Sequence, residues 1–120
     1  MDTDEFAKQF SEIFELALSW SEIARREGLL ALEDLADEEK IAQRDIFQFG
    51  IRLTVDGIDT SVIDKILTNF INLETDKDMK TLKTIQKEAV LGIQCGMNSR
   101  ILAILLNSYV NTELTVALKD

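Results

Sequence analysis

From the sixth residue onward, apolar side chains recur at alternating steps of four and three: Phe6, Phe10, Ile13, Ala17, Trp20, Ala24, Gly28, Ala31 and Leu35. That spacing keeps one apolar seam on one side of a helix and predicts a long N-terminal helix over residues 1–36. Asp2 is placed to cap it, with Glu5 three positions on as the capping-box partner. Gly28 lies on the seam between Ala24 and Ala31, which reads as a close-approach point for another helix. A kink or break at that glycine is the alternative.

The acidic stretch at residues 33–40 reads as a turn into a second helix, about residues 39–55, with Ala42, Ile46, Phe49 and Leu53 inward. Gly57 suits the left-handed position that closes a helix. Asp59 caps a third helix, residues 60–73, burying Val62, Ile63, Ile66, Leu67 and Phe70. A fourth, from about residue 78 to Gly96, turns Leu82, Ile85, Ala89 and Ile93 inward. Asn98 caps a fifth over residues 99–110. In the tail beyond it Leu114, Val116 and Leu118 alternate, which fits either a frayed helix or a short strand.

The later elements repeat. GIDTSVIDKILTNFINLE, residues 57–74, aligns without gaps on GMNSRILAILLNSYVNTE, residues 96–113. Most paired positions are identical or conservative, and each copy reads as helix end, glycine, Asp or Asn cap, then an apolar helix. This is an αα-hairpin used twice, at 39–74 and 78–113. The expected fold is all-α, a single domain over residues 1–120: a five-helix bundle of one long helix and two repeated hairpins. Asp64 and Lys65 of the first copy become Ala103 and Ile104 in the second. The fifth helix is therefore apolar nearly all round and is expected to be buried in the core or against another subunit.

Composition supports helices, because there are no prolines and only five glycines to punctuate a many-stranded fold. Thirteen basic against 22 acidic residues give a net charge of -9, which disfavours nucleic acid and anionic membranes as partners. The longest apolar run, residues 101–106, is far short of the roughly 20 residues a membrane helix needs. The N-terminus lacks the basic-then-apolar layout of a secretory signal. A single cysteine fits a reducing compartment, so a cytoplasmic location is expected.

Catalytic chemistry is poorly supplied. With no histidine and one cysteine, no Ser-His-Asp or Cys-His arrangement can be assembled. The cluster Glu33, Asp34, Asp37, Glu38, Glu39 lacks the alternating ligands and central glycine of a calcium loop and reads as a solvated turn. Cys95, near a helix C-terminus, reads as a buried structural thiol. No enzyme, metal or cofactor is expected.

Three blocks remain: ARREGLLALE at residues 24–33, GIRLTVDGID at 50–59 and VIDKIL at 62–67. They resemble the cytoplasmic, rotor-facing region of the MotA family of flagellar stator proteins, which follows that family's second membrane helix. The shared outline is a basic pair, Glu-Gly-Leu-Leu, a small residue and Leu-Glu, followed by an apolar helix ending in Val-Asp-Gly. The likeness spans residues 21–74, just under half of the chain. It implies engagement of the rotor's switch-ring protein, or of the stator itself, through charged side chains. The family's contacting arginine falls on Arg25, with Arg26 beside it, and its contacting glutamate on Glu33. Eight helical residues span roughly 12 Å, so one straight helix would present both charges. As a more ordinary use of the same residues, Glu22 and Arg26 are spaced as an i,i+4 ion pair.

This chain departs from the family in having neither the membrane helices nor the prolines near the later spans. It is therefore not expected to line an ion channel. Beginning at Met1, it is expected to be a stand-alone relative, non-catalytic and motor-associated, with self-association through the fifth helix. The other reading is a helical adaptor module outside motility.

Overall fold

A computed structural model describes residues 1–110. Among these, the chain is all-helical: α1 (Thr3–Glu27), a 3-10 helix (Leu29–Leu35), α2 (Glu38–Ala42), α3 (Ile46–Val55), α4 (Thr60–Asn72), α5 (Lys77–Gln94) and α6 (Ser99–Asn107). Six α-helices and a 3-10 turn thus stand where the spacing predicts five helices. No helix of the described residues is long and apolar enough to cross a membrane. The alternating residues Leu114, Val116 and Leu118 lie outside the described residues.

α5 is the central strut, with α1, α3, α4 and α6 all packed against it. Its buried positions Leu82, Ile85, Ala89, Val90 and Ile93 follow the helical repeat, as the spacing predicts. α1 contributes Phe10, Ala17, Trp20 and Ala24 to the same core. Trp20 meets Phe47 of α3 with ring centroids 5.2 Å apart, and Phe49 of α3 meets Phe70 of α4 at 5.7 Å. Polar ties lie outside this core. Lys87 on α5 sits 2.8 Å from the Asp64 carboxylate on α4, and this hydrogen bond holds Asp64 below its ordinary pKa. Lys83 likewise takes Glu74 at 2.8 Å.

Side-chain caps start the helices where aspartate or asparagine precedes them. The Asp2 carboxylate accepts from Glu5 N–H at 2.8 Å, so α1 begins as expected. The Glu5 side chain instead accepts from Gln9. Asp37, Asp45, Asp59, Asp76 and Asn98 cap the later helices in the same manner.

The helix expected over residues 39–55 is divided. α2 ends at Ala42, and Asp45 opens α3 by accepting from Gln48 N–H at 2.9 Å. This moves the inward face: Ile46, Phe47, Gly50, Ile51 and Thr54 are buried, whereas Ala42 is exposed and Phe49 and Leu53 are only partly covered. In α4 the buried residues are Ile63, Leu67 and Ile71, and Val62 is exposed rather than buried.

Three helix ends share one closing pattern. Gly57 N–H donates to Thr54 C=O at 3.0 Å and Ile58 N–H to Leu53 C=O at 3.1 Å. Gly96 to Ile93 (3.1 Å) and Met97 to Gly92 (2.9 Å) reproduce this 39 positions later, with φ of 81° and 75° at the two glycines. Arg44 to Ile41 and Asp45 to Lys40, both 3.0 Å, repeat it again at the end of α2. There a non-glycine residue holds the left-handed position, at φ 63°. The Arg44 guanidinium lies 4.8 Å from the Phe49 ring centroid and donates to Ile41 C=O.

Candidate interaction surface

The predicted contact residues flank Gly28, and there the long helix ends. Gly28 N–H closes α1 on Ala24 C=O at 2.8 Å, but its φ of 95° and ψ of 158° leave helical space. That region of the backbone map is open essentially to glycine alone. A Cβ added at Gly28 would have no heavy atom within 4 Å, so no helix approaches closely there. Both the continuous helix over residues 1–36 and the close-approach reading are overturned, and the break is what the chain adopts. The cause is tertiary. Turning at Gly28 lets the 3-10 helix pack on α1 and α3 and buries Leu32 completely, while Leu35, the seam's expected continuation, is exposed.

Replacing Gly28 with alanine is expected to destabilise the fold by about 1–3 kcal/mol, the cost of holding an L-residue in this conformation. Urea denaturation would measure it. An unchanged midpoint would mean that the corner relaxes into continuous helix at no cost.

The corner distributes the three predicted residues over two segments. Arg25 and Arg26 lie on the last turn of α1, where cations favour the helix dipole. Glu33 lies on the 3-10 helix, exposed, and has no ion-pair partner among the described residues. Arg25 donates through Nη1 to the carbonyl of Gly96, in the turn between α5 and α6. The expected Glu22–Arg26 pair does not form. Arg26 instead faces Glu27 at 3.4 Å, with both side chains more than half exposed, a geometry worth little. Glu22, Arg25, Arg26 and Ser99 together line a shallow open depression between the end of α1 and the start of α6. Glu33 does not line it.

Glu22 enters the sequence reading only as a partner for Arg26, although it also lies one helical turn before Arg25 on the same face. Ser99 comes from a helix 74 positions beyond Arg25 (99 minus 25) and carries no signal in the chain itself. Beyond Ser99, Ile101 and Ile104 turn outward, with Ile104 61% exposed. The fifth predicted helix is thus buried on one side only, at Leu102 and Leu106.

The acidic cluster has structural uses. Asp37 caps α2 through Lys40 N–H at 3.1 Å, and Glu38 pairs with Arg52. Among the described residues no group of three or more His, Cys, Asp or Glu is gathered to hold a metal. Cys95 is exposed, not buried, and its thiol donates to Gly92 C=O at 3.4 Å. Charge recognition at the Gly28 corner is what this arrangement can do. No family model, no curated protein and no solved structure matches the chain.

Proposed function

We propose that the chain is a non-catalytic, cytoplasmic protein of the flagellar motor that acts by charged protein–protein contacts with the rotor switch ring or the stator. The observation that carries this reading is the block at residues 25–33. It resembles the rotor-facing MotA segment, and its Arg26 and Glu33 side chains stand exposed at the molecular surface. The straight-helix presentation is replaced by a corner, with the cations on the end of α1 and the anion on the 3-10 helix. Arg25 is the weaker contact of the pair, because engaging it from outside means exchanging its hydrogen bond to Gly96.

Binding of the switch-ring protein to wild type, Arg26→Glu and Glu33→Lys is the test. Each reversal is expected to weaken binding about tenfold or more, since placing like charges across a contact is costly. Both positions are exposed, so the fold should survive and circular dichroism would verify it. Wild-type binding that neither reversal alters would remove the corner from the contact, and no wild-type binding to switch ring or stator would remove the motor reading.

The alternative of a helical adaptor outside motility is favoured by a different observation. The turns at Gly57 and Gly96 share their hydrogen bonds 39 positions apart. Under that reading α3–α4 and α5–α6 are two copies of one hairpin, and the outward Ile101 and Ile104 meet a partner or a second copy.

A further inference from the structure

The outward face of α6 is apolar in a chain of net charge -9, and from Ala89 to Val110 Arg100 is the only charged residue. Leu102 and Leu106 seat this helix against α1 and α5. On the opposite side Arg100, Ile101, Ile104 and Ser108 are exposed, Ile101 at 47% and Ile104 at 61%. Steps of three and four keep Ile101, Ile104 and Ser108 on one stripe centred on Ile104. A surface without carboxylates is where two copies of so acidic a molecule repel each other least.

The two ends of the stripe differ in charge. Arg100 stands in the first turn of α6, where the helix dipole is positive and a cation is disfavoured. It has no ion-pair partner among the described residues. The last turn, at the negative end of the dipole, carries no cation of its own. Just beyond it Tyr109 and Val110 line a depression whose charged side chains are Asp2 and Asp78. Asp2 is engaged as the α1 cap, whereas Asp78 has no ion-pair partner among the described residues.

Turned end for end, this stripe complements itself, as a closed two-fold interface requires. A two-fold axis at Ile104 lays that residue on its own copy. Arg100, four positions before the axis, then lies beside Ser108, four positions after it, in the second copy. Ser108 is the C-cap of α6, so each guanidinium meets the negative end of the other helix. A parallel pair would instead oppose Arg100 to Arg100.

We propose that α6 is a homodimer interface, an antiparallel two-fold pair packed through Ile101 and Ile104 and oriented by Arg100. This fixes the surface and orientation of the self-association expected of this helix, and it does not depend on the motor reading. One nine-residue helix per copy is small against the roughly 1,200 Å² or more of a stable interface. The dimer is therefore weak, with a Kd on the order of 100 µM.

Sedimentation velocity of the full chain between about 5 and 500 µM brackets that Kd. The wild-type boundary is expected to move from monomer to dimer across this range, and Ile104→Glu to stay monomeric throughout. Arg100→Glu should weaken the dimer about fivefold or more, since the helix-end contact occurs twice in it. It should not lower the melting temperature, because a carboxylate suits the first turn of its own helix. Val62→Glu, at an exposed apolar position on α4, should leave the dimer unchanged. A wild-type monomer at the highest concentration would overturn the proposal and leave the face to residues 111–120 or to a different protein. Dimers that survive Ile104→Glu, or that Val62→Glu weakens equally, would refute the surface. Dimers indifferent to Arg100→Glu, or tightened by it, would refute the antiparallel orientation.

Discussion

Replacing Gly50 with valine is expected to lower the stability of the fold by about 3 kcal/mol, the upper part of the usual range for overpacking a core. Gly50 lies on the buried face of α3, where α4 and α5 converge. An added Cβ would stand 2.8 Å and 3.0 Å from the two methyls of Val90 and 3.0 Å from Leu67 Cδ1. Val90 is fully buried on α5, and a β-branched side chain in a helix has essentially one rotamer, so it cannot swing aside. Valine brings two more methyl groups to that contact, and the helices would have to separate. Urea denaturation would show the loss as a lower midpoint at unchanged slope. Gly92 provides the control. There the close neighbour is the end of a leucine, Leu102 Cδ1 at 2.8 Å, which can rotate. Gly92→Ala also gains about 1 kcal/mol of helix propensity, so its net effect should be small. A Gly50→Val protein as stable as wild type would refute the close packing of α3 on α5.

Phe47→Ala is expected to cost about 3–5 kcal/mol, the range for emptying an aromatic site in a core. Phe47 is 2% exposed and joins α3 to α1 through Trp20. The tilted ring pair adds about 0.5–1.5 kcal/mol beyond area burial. Small domains have about 5–15 kcal/mol in total, so this one truncation should remove a large share. Thermal melting followed by circular dichroism would measure the loss. Trp20 emission before the transition should also move to longer wavelength as water reaches the indole. A loss below about 1 kcal/mol would show that the α1–α3 contact is not part of the cooperative core.

The parts of the fold legible in the sequence are those fixed by local chemistry. Asp59 and Asn98 cap because a short acceptor precedes an apolar run, and Gly57 and Gly96 close helices because a left-handed residue is needed there. α5 was legible throughout, since Leu82, Ile85, Ala89 and Ile93 satisfy one period without a competing reading. Gly28 was ambiguous. Its position on the seam fits a passing helix as well as a break, and only the burial of Leu32 against α3 decides between them. The α2–α3 break had one local sign, Asp45 three residues before Gln48, but Arg44 occupies the slot where glycine would have announced the turn. Overlooking that break rotates the inward face by one position and exchanges Phe49 and Leu53 for Phe47, Ile51 and Thr54. Of the candidate surface, the exposure of Arg26 and Glu33 was legible in the chain. What Arg25 does could not, because its acceptor is a backbone oxygen far along the sequence.

That hydrogen bond spans 71 positions. Closing so long a loop carries an entropic penalty that packing of α6 on α1 has to offset before the bond can form. Because Gly96 lies in the turn that ends α5, a load pulling on the end of α1 would pass into the central strut as well as into α6, so this margin of the molecule is tied to its middle.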